Sequence, residues 1–493
     1  MLFERFKKMS DINPDSPAIL TEQETISYQS FLDEVGKLSD YFKENGLTQE
    51  TPLAIVLRKN EVIWAAVVAA SYLKVSVMLV DPNLKEAEMN QIMKMYQTCF
   101  ELREKNCSVA GGYKGDVVQK LNFFDNDFLL INSGLAANCW NEYIGSTEDH
   151  SYIVLLTSGS TKVPSAVVKT VESIVGDGER IGRSLGIASL DRVLCAAPVY
   201  HAFGLICGCF ATLLSGAAVS YVGSYVLPST LESRTRELSC TIMMALPFHY
   251  KMLIEHVEQP FEQIRFALSS TSLLPMELLQ SCNELLNLKI HNIYGSSEAG
   301  AISIEHNDNV EESLSNVGQP IEDVQIKLDE TDVVEVDGRS VSELLINSPS
   351  LAKGYLKIEG IEGVDTHSYL LEDGWWRTGD LVYLNEENKL NIVGRVNITI
   401  NVNGKKVNPY EIEDILSKHP AIAEAVVVGQ PDDKRGEIPV AFVVSKEQVS
   451  EKEVLQFCYQ KLSNYKMPRK IEFRDTLPKT SAGKVRRKEL KKI

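Results

Sequence analysis

Short continuous apolar runs alternate with segments of helical period from residue 53 to residue 286, and no other feature of this chain restricts its fold so tightly. Residues 53–57, 75–80, 193–196, 218–222, 241–246 and 264–268 read as strands. Residues 61–72, a polar stretch from Glu86, and residues 203–215, 248–256 and 275–286 read as helices between them. Strands apolar on both faces and separated by helices predict parallel sheet with helices packed against it. The chain enters this pattern through a short strand at 17–20 and a helix at 28–45, where Phe31, Val35, Leu38 and Phe42 recur at helical spacing. Residues 107–148, rich in Asn, Gly and Asp, carry the least pattern and are expected to cover a sheet edge or lead into the next element.

At 493 residues with 44% hydrophobic content, the chain is too long for one simple core and is expected to divide into two or three domains. A formal charge of −17 argues against a general binder of nucleic acid or of anionic membranes, which need a basic surface. The basic tail from Lys484 to Lys492 is the exception. Nine cysteines show no regular spacing, with Cys207 and Cys209 the one close pair, so they read as free thiols of a reducing compartment rather than zinc ligands. The N-terminus lacks the apolar core of a signal peptide, and no later run is long enough to span a membrane. A cytoplasmic protein is expected.

Several stretches carry chemistry. In DGWWRTGDLVYLNEENKLNIVGR, strand-like runs flank a turn at 385–388, so a hairpin would bring Asp380 and Arg395 together. A carboxylate that accepts from sugar hydroxyls beside a guanidinium that donates can hold a ribose; the same pair can equally be a surface ion pair. The strand at 153–156 runs into LLTSGSTKVPSAVVKT, where clustered small and hydroxylated residues suit either a phosphate-cradling loop or a plain Ser/Thr-rich surface loop. His201, in PVYHAFGL, reads as a packed histidine or a site residue. The Gly204, Cys207, Gly208 and Ala211 that follow suit either an apolar slot or tight helix packing.

Taken in order, W-R-T-G-D-L, G-R and V-N-P-Y-E-I-E resemble the adenylate-forming superfamily of acyl-CoA synthetases, free-standing adenylation enzymes and luciferases. The resemblance makes Asp380 the ribose ligand, Arg395 its neighbour and Asn397 the hinge, where the family has Lys or Asp. The family's phosphate-loop pattern, T-S-G-[ST]-T-G-x-P-K-G, matches Thr157, Ser158, Gly159, Ser160, Thr161 and Pro164. Lys162, Ser165 and Ala166 depart from it, and the missing lysine's charge is expected to be supplied by Lys162 or Lys169. In YGSSE the resemblance implies that Tyr294 and Gly295 meet adenine, that Ser297 contacts the α-phosphate or carboxylate, and that Glu298, with Thr161, holds Mg²⁺.

The resemblance also sets His201 beside the acyl carboxylate and the thiol route, with Phe203, Gly204, Ser269, Ser270 and Thr271 around the acid. In LPKTSAGKVRRKEL it makes Lys484 the catalytic lysine, and Gly404 lies where the thiol enters. No F-D-x-S string is present to pair with a substrate ammonium, which points to an acid lacking an α-amino group. The hydroxyl-rich 269–272 turn, in place of a Gly-Gly-rich one, points to a small or polar acid.

The expected fold is α/β. Residues 1–394 would form a large multi-layer N-terminal domain with parallel sheets and a small β subdomain at about 320–394, and residues 395–493 a small mobile α+β lid. The expected function is ATP- and Mg²⁺-dependent activation of a fatty or aryl acid to an acyl-adenylate, followed by transfer to the pantetheine thiol of CoA or of a separate carrier protein. The chain ends just after the lysine loop, so no attached carrier domain is expected. The competing readings are an ATP- or acyl-binding relative without catalysis and an amino-acid adenylating enzyme.

Overall fold

A computed structural model describes residues 2–104, 116–123, 126–134, 140, 151–157, 164–223, 226–271, 274–306, 316–331, 333–336, 339–356, 373–402, 405–432, 434–479 and 485–491. Two compact units result, one of residues 1–314, 321–324 and 347–370, the other of residues 315–320, 325–346 and 371–493.

The first unit is built on two sheets. One runs in spatial order Gly300–Glu305, Ile290–Ser296, Phe266–Ser269, Ile242–Ala245, Arg192–Cys195, Ala218–Tyr221, Pro17–Leu20 and Thr25–Ser27, with parallel neighbours between antiparallel end pairs. Its central strand Ile242–Ala245 is buried along its whole length, as a sheet covered on both faces requires. Helices Pro228–Glu237, Pro247–His256 and Met276–Leu286 cover one face through Leu231, Tyr250, Leu253, Leu279, Cys282 and Leu286. The eight-stranded second sheet orders Gly354–Tyr355, Ser165–Thr170, Tyr152–Thr157, Val77–Leu79, Leu53–Val56, Phe100–Glu104, Asn126–Asn132 and Asp116–Phe123. The poorly patterned 107–148 segment thus supplies a hairpin at a sheet edge.

Two local expectations change. Residues 165–170, read as part of a loop, form a strand antiparallel to Tyr152–Thr157 with Thr157 opposite Ser165, because Val167 and Val168 favour the pleat. Residues 203–215, read as one α-helix, wind as a π-helix over Phe203–Ala211 and a short α turn over Thr212–Leu214. Close approach explains its glycines: a Cβ on Gly204 would lie 2.1 Å from the Pro198 carbonyl oxygen, and one on Gly208 would lie 2.4 Å from Cys195 Sγ. Tight packing, rather than an open slot, is therefore what these two small residues serve.

In the second unit, Gln325–Leu328, Arg339–Asn347, Trp376–Leu384 and Leu390–Arg395 form one sheet, with Val334–Val336 paired to Arg339–Asn347. Another orders Lys405–Val407, Ile400–Val402, Gly436–Ser445 and Ile422–Asp432, with Lys470–Phe473 parallel to Gly436–Ser445. Strand alternation sends Val427 to a core with Ile412, Leu416 and Val454, and sends Val426 and Val428 to one with Phe442, Leu477 and Leu490. Helix Pro409–Ser417 starts where Asn408 Oδ1 accepts from the Tyr410 N–H, with Pro409 at its first position. The architecture is the expected one, α/β with large parallel and mixed sheets followed by a small C-terminal α+β region. Among the described residues, no helix is long and apolar enough to cross a membrane.

Candidate active site

Parallel strands deliver side chains at their carboxyl ends, and in the first sheet His201 and Thr271 follow, and Ser269 and Tyr294 lie at, the carboxyl ends of strands Arg192–Cys195, Phe266–Ser269 and Ile290–Ser296. Strand Phe266–Ser269 ends in Ser269, whose buried Oγ has no hydrogen-bond partner among the described residues. Thr271 follows with φ +79°, a conformation that glycine adopts freely and a β-branched residue adopts under strain. That backbone accounts for the glycine-rich turn of the family pattern. In the adjacent strand, Ile290–Ser296, Tyr294 is half-buried and Gly295 exposed, and Ser297 just beyond it is half-buried. The chain turns back tightly: Ser296 Oγ accepts from the Ala299 N–H at 3.1 Å, and a Cβ on Gly295 would lie 2.3 Å from the Gly300 carbonyl oxygen.

Glu298 is held at both ends. Its carbonyl accepts from the Ala352 N–H at 2.7 Å, and the Tyr355 hydroxyl donates to Oε1 at 2.8 Å. His201 is half-buried; its N–H bonds to the Pro198 carbonyl at 3.1 Å and its ring lies 4.9 Å from that of Tyr200. Phe203 is buried behind it. Thr157 closes strand Tyr152–Thr157 and donates from Oγ1 to the Ser165 carbonyl at 3.3 Å. Ser158, Gly159, Ser160, Thr161 and Lys162 lie outside the described residues. Lys169 does not stand where a phosphate lysine must: it is fully buried, and its favourable charge interactions are with Asp177 and Glu298.

In the second unit the hairpin pairs Asp380 directly opposite Arg395, whose Nε donates to Oδ1 at 2.5 Å. The Asp380 side chain is buried and that of Arg395 is 50% exposed. The turn between them forms as expected, with Asn385 Oδ1 accepting from the Glu387 and Lys389 N–H groups and Asn388 at φ +58°. Asn397 sits in a 3₁₀ turn, Val396–Ile398, between the last strand of one sheet and the first of the next. Its side chain, Gly404 and Lys484 lie outside the described residues. The ends of the lysine loop are nonetheless fixed. Lys479 pairs with Val485, and Arg487 grips Glu413, with Nη2 to Oε2 at 2.7 Å and Nη1 to the Val427 carbonyl at 2.8 Å. Burial pushes the Glu413 carboxyl up, and Arg487 draws it back. Both residues stood in motif strings already singled out, so their pairing was legible in principle; Asp177 and Arg180 carried no such signal.

The AMP-binding enzyme family model matches residues 6–356, and the model for the C-terminal domain of AMP-binding enzymes matches residues 411–484. The chain belongs to the AMP-binding enzyme family. It is accordingly an AMP-binding enzyme, and the relatives it resembles are acid–CoA ligases. Among relatives of this AMP-binding enzyme, the 2-succinylbenzoate–CoA ligases of Bacillus mycoides (strain KBAB4) and Bacillus cereus (strain ATCC 10987) are each 26% identical, aligned over 98% of the chain and 96% of the relative. The o-succinylbenzoate CoA synthetase of Bacillus subtilis in complex with its acyl-adenylate superposes with a TM-score of 0.83 at 24% identity, covering 99% of the chain and 98% of that structure. An anthranilate CoA ligase in complex with anthranoyl-AMP superposes with a TM-score of 0.81 at 20% identity, covering 99% and 96%. These superpositions establish the shared fold.

Proposed function

We propose that the chain activates an aryl acid lacking an α-amino group with ATP and transfers the acyl group to CoA in the cytoplasm. What supports this reading is that His201, Ser269, Thr271 and Tyr294 to Glu298 all lie at or just after the carboxyl ends of strands of one sheet, in a chain that resembles acid–CoA ligases over nearly its whole length. The polar turn at 269–271 suits an acid with hydrogen-bonding groups beyond its reacting carboxylate, and the described cysteines are all free and buried.

The carboxylate attacks the α-phosphate, so two anions must approach, and fixed positive charge is what lowers that barrier. Lys484 supplies an ammonium as charge develops at phosphorus. Asp380 accepts from the ribose hydroxyls while Arg395 fixes its carboxylate. Glu298, half-buried and oriented by Tyr355, fits a hard-cation ligand and with Thr161 would hold Mg²⁺, which when bound offsets phosphate charge. We place the moving lid at residues 395–493 and the adenylating body at 1–394, because the single turn at Val396–Ile398 joins two sheets and is a natural place to absorb rotation. The turned lid would bring the Gly404 region to the acyl-adenylate to admit the thiol.

Acid-dependent ATP–pyrophosphate exchange over a panel of aryl, fatty and amino acids tests the reading, followed by thioester formation with CoA and with a phosphopantetheinylated carrier protein. Exchange strongest with an aryl acid and acyl transfer to CoA are expected. Exchange with an α-amino acid, or transfer to the carrier alone, would contradict it.

A further inference from the structure

Strand Trp376–Leu384 breaks its pairing with Arg339–Asn347 where it presents Asp380. Arg377 stands opposite Leu345 and Leu381 opposite Glu343, so Thr378, Gly379 and Asp380 together face Leu344 alone. A bulge of this kind bends the strand and re-aims the side chains it carries. Gly379 takes φ +72° within it, a left-handed conformation that glycine adopts without strain.

Side chains, rather than ladder partners, take up the polar groups of the bulge. Glu343 Oε1 accepts from the Gly379 N–H at 3.1 Å, and its other oxygen accepts from Arg377 Nη1. The Thr378 hydroxyl donates to the Leu344 carbonyl at 2.9 Å and accepts from the Asp380 N–H at 3.1 Å. The backbone leading into Asp380 is thus tied twice to the Glu343–Leu344 segment, while Arg395 Nε donates to the Asp380 carboxylate from the other neighbouring strand. Arg377 does not depend on Glu343 alone, since its Nη2 lies 2.6 Å from Asp329 Oδ2. What Glu343 adds is the acceptor for the Gly379 N–H.

We propose that Glu343 and Thr378 are positioning residues for nucleotide binding: they lock the 378–380 bulge and so aim the Asp380 carboxylate at the ribose hydroxyls. The inference rests on the reading of Asp380 as the ribose ligand. A carboxylate that accepts from paired hydroxyls must be held to within about 0.5 Å, and the bulge lacks the regular ladder that would otherwise hold it. Glu343 and Thr378 act through the backbone of Gly379 and Asp380, without touching the nucleotide.

The test compares acid-dependent pyrophosphate exchange by the full-length enzyme with ATP and with 2′,3′-dideoxy-ATP, which lacks the ribose hydroxyls. In Glu343→Ala the preference for ATP, taken as the ratio of the two kcat/KM values, is expected to fall about tenfold, the scale of one hydrogen bond to a charged group. The fall should come from a higher KM for ATP, with the KM for the acid unchanged. Thr378→Val should lose the preference likewise, and Thr378→Ser, which keeps the hydroxyl, should retain it. Asp329→Asn takes the other carboxylate from Arg377 without touching the bulge and should leave the ratio within about twofold of the parent. Thermal unfolding midpoints verify folding, and where Glu343→Ala does not fold, Thr378→Val decides. An unchanged ratio in either folded variant, or an equal loss with both nucleotides, overturns the proposal, as does a loss in Asp329→Asn that matches the one in Glu343→Ala. Asp380→Asn separates the two claims. If it keeps the preference, Asp380 is not the ribose ligand and the proposal falls with that reading; if it loses the preference while the Glu343 and Thr378 variants keep it, the positioning role alone fails.

Discussion

Two sets of opposite charges show how burial changes what an ion pair does. In the first unit, Lys169, Asp177 and Arg180 are cut off from water. Burial pushes the Asp177 carboxyl up and the Lys169 ammonium down, and each is drawn back by the opposite charge of the other. In the second unit, Asp380 and Arg395 meet across a hairpin with the guanidinium half in water, where solvent screens the attraction. The first arrangement is costly to break because any surviving charge stays buried. The second contributes little to stability and leaves the Arg395 guanidinium accessible to a ligand, with the Asp380 carboxylate buried behind it.

The largest expected effect sharpens that contrast. Asp177→Asn removes the one fully buried carboxylate that offsets Lys169 and Arg180, leaving only half-buried Glu298 and exposed Asp323, and is expected to destabilise the first unit by about 3–5 kcal/mol, read from denaturant unfolding at neutral pH. A loss below about 1 kcal/mol would place the cluster in the same class as the surface pair.

An intermediate case is Asp329. Hydrogen bonds from the Thr331 hydroxyl and N–H, together with Arg377, hold its carboxyl down to about 2 from an ordinary 3.8. A folded-state pKa below the unfolded value contributes stability that is full above about pH 4 and is lost as pH falls toward 2. Asp329→Asn should therefore lower the thermal midpoint at pH 6 and lose that effect near pH 2. A midpoint difference independent of pH would assign the residue a packing role instead.

The smallest stability effect belongs to Asp380→Asn, expected within about 1 kcal/mol of the parent. Its functional effect should be selective: the apparent KM for ATP rises while that for the acid holds. A large loss of stability, or an equal rise in both constants, would break the comparison.

The sequence makes the sheets legible because buried parallel strands are written as unbroken apolar runs, and Ile242–Ala245 lies within the predicted 241–246. The Asp380–Arg395 contact was legible as well, since a turn with asparagine at both ends fixes a hairpin register. The buried cluster was not. Lys169 stands between β-branched residues in SAVVKT, and a lysine in a short polar-ended run reads as surface. The helix that carries Asp177 and Arg180 contains Gly176, Gly178 and Gly182, which weaken a helical signature. Two of these glycines are needed for contact, since a Cβ on Gly178 would lie 2.6 Å from Phe210 Cβ and one on Gly182 would lie 2.5 Å from Ser215 Oγ. The π-helical winding of Phe203–Ala211 likewise depends on tertiary close approach, which local periodicity does not encode.

The central claim is that one site serves two half-reactions and that the lysine loop belongs to the first. Lys484→Ala, in the full-length enzyme, should slow acid-dependent pyrophosphate exchange about 10²–10³-fold, the scale of removing one preorganised charge stabiliser. Thioester formation from supplied acyl-adenylate and CoA by the same variant should stay within about threefold of the parent, a difference of less than 1 kcal/mol in barrier. Equal loss in both half-reactions, with the variant folded, would contradict the account.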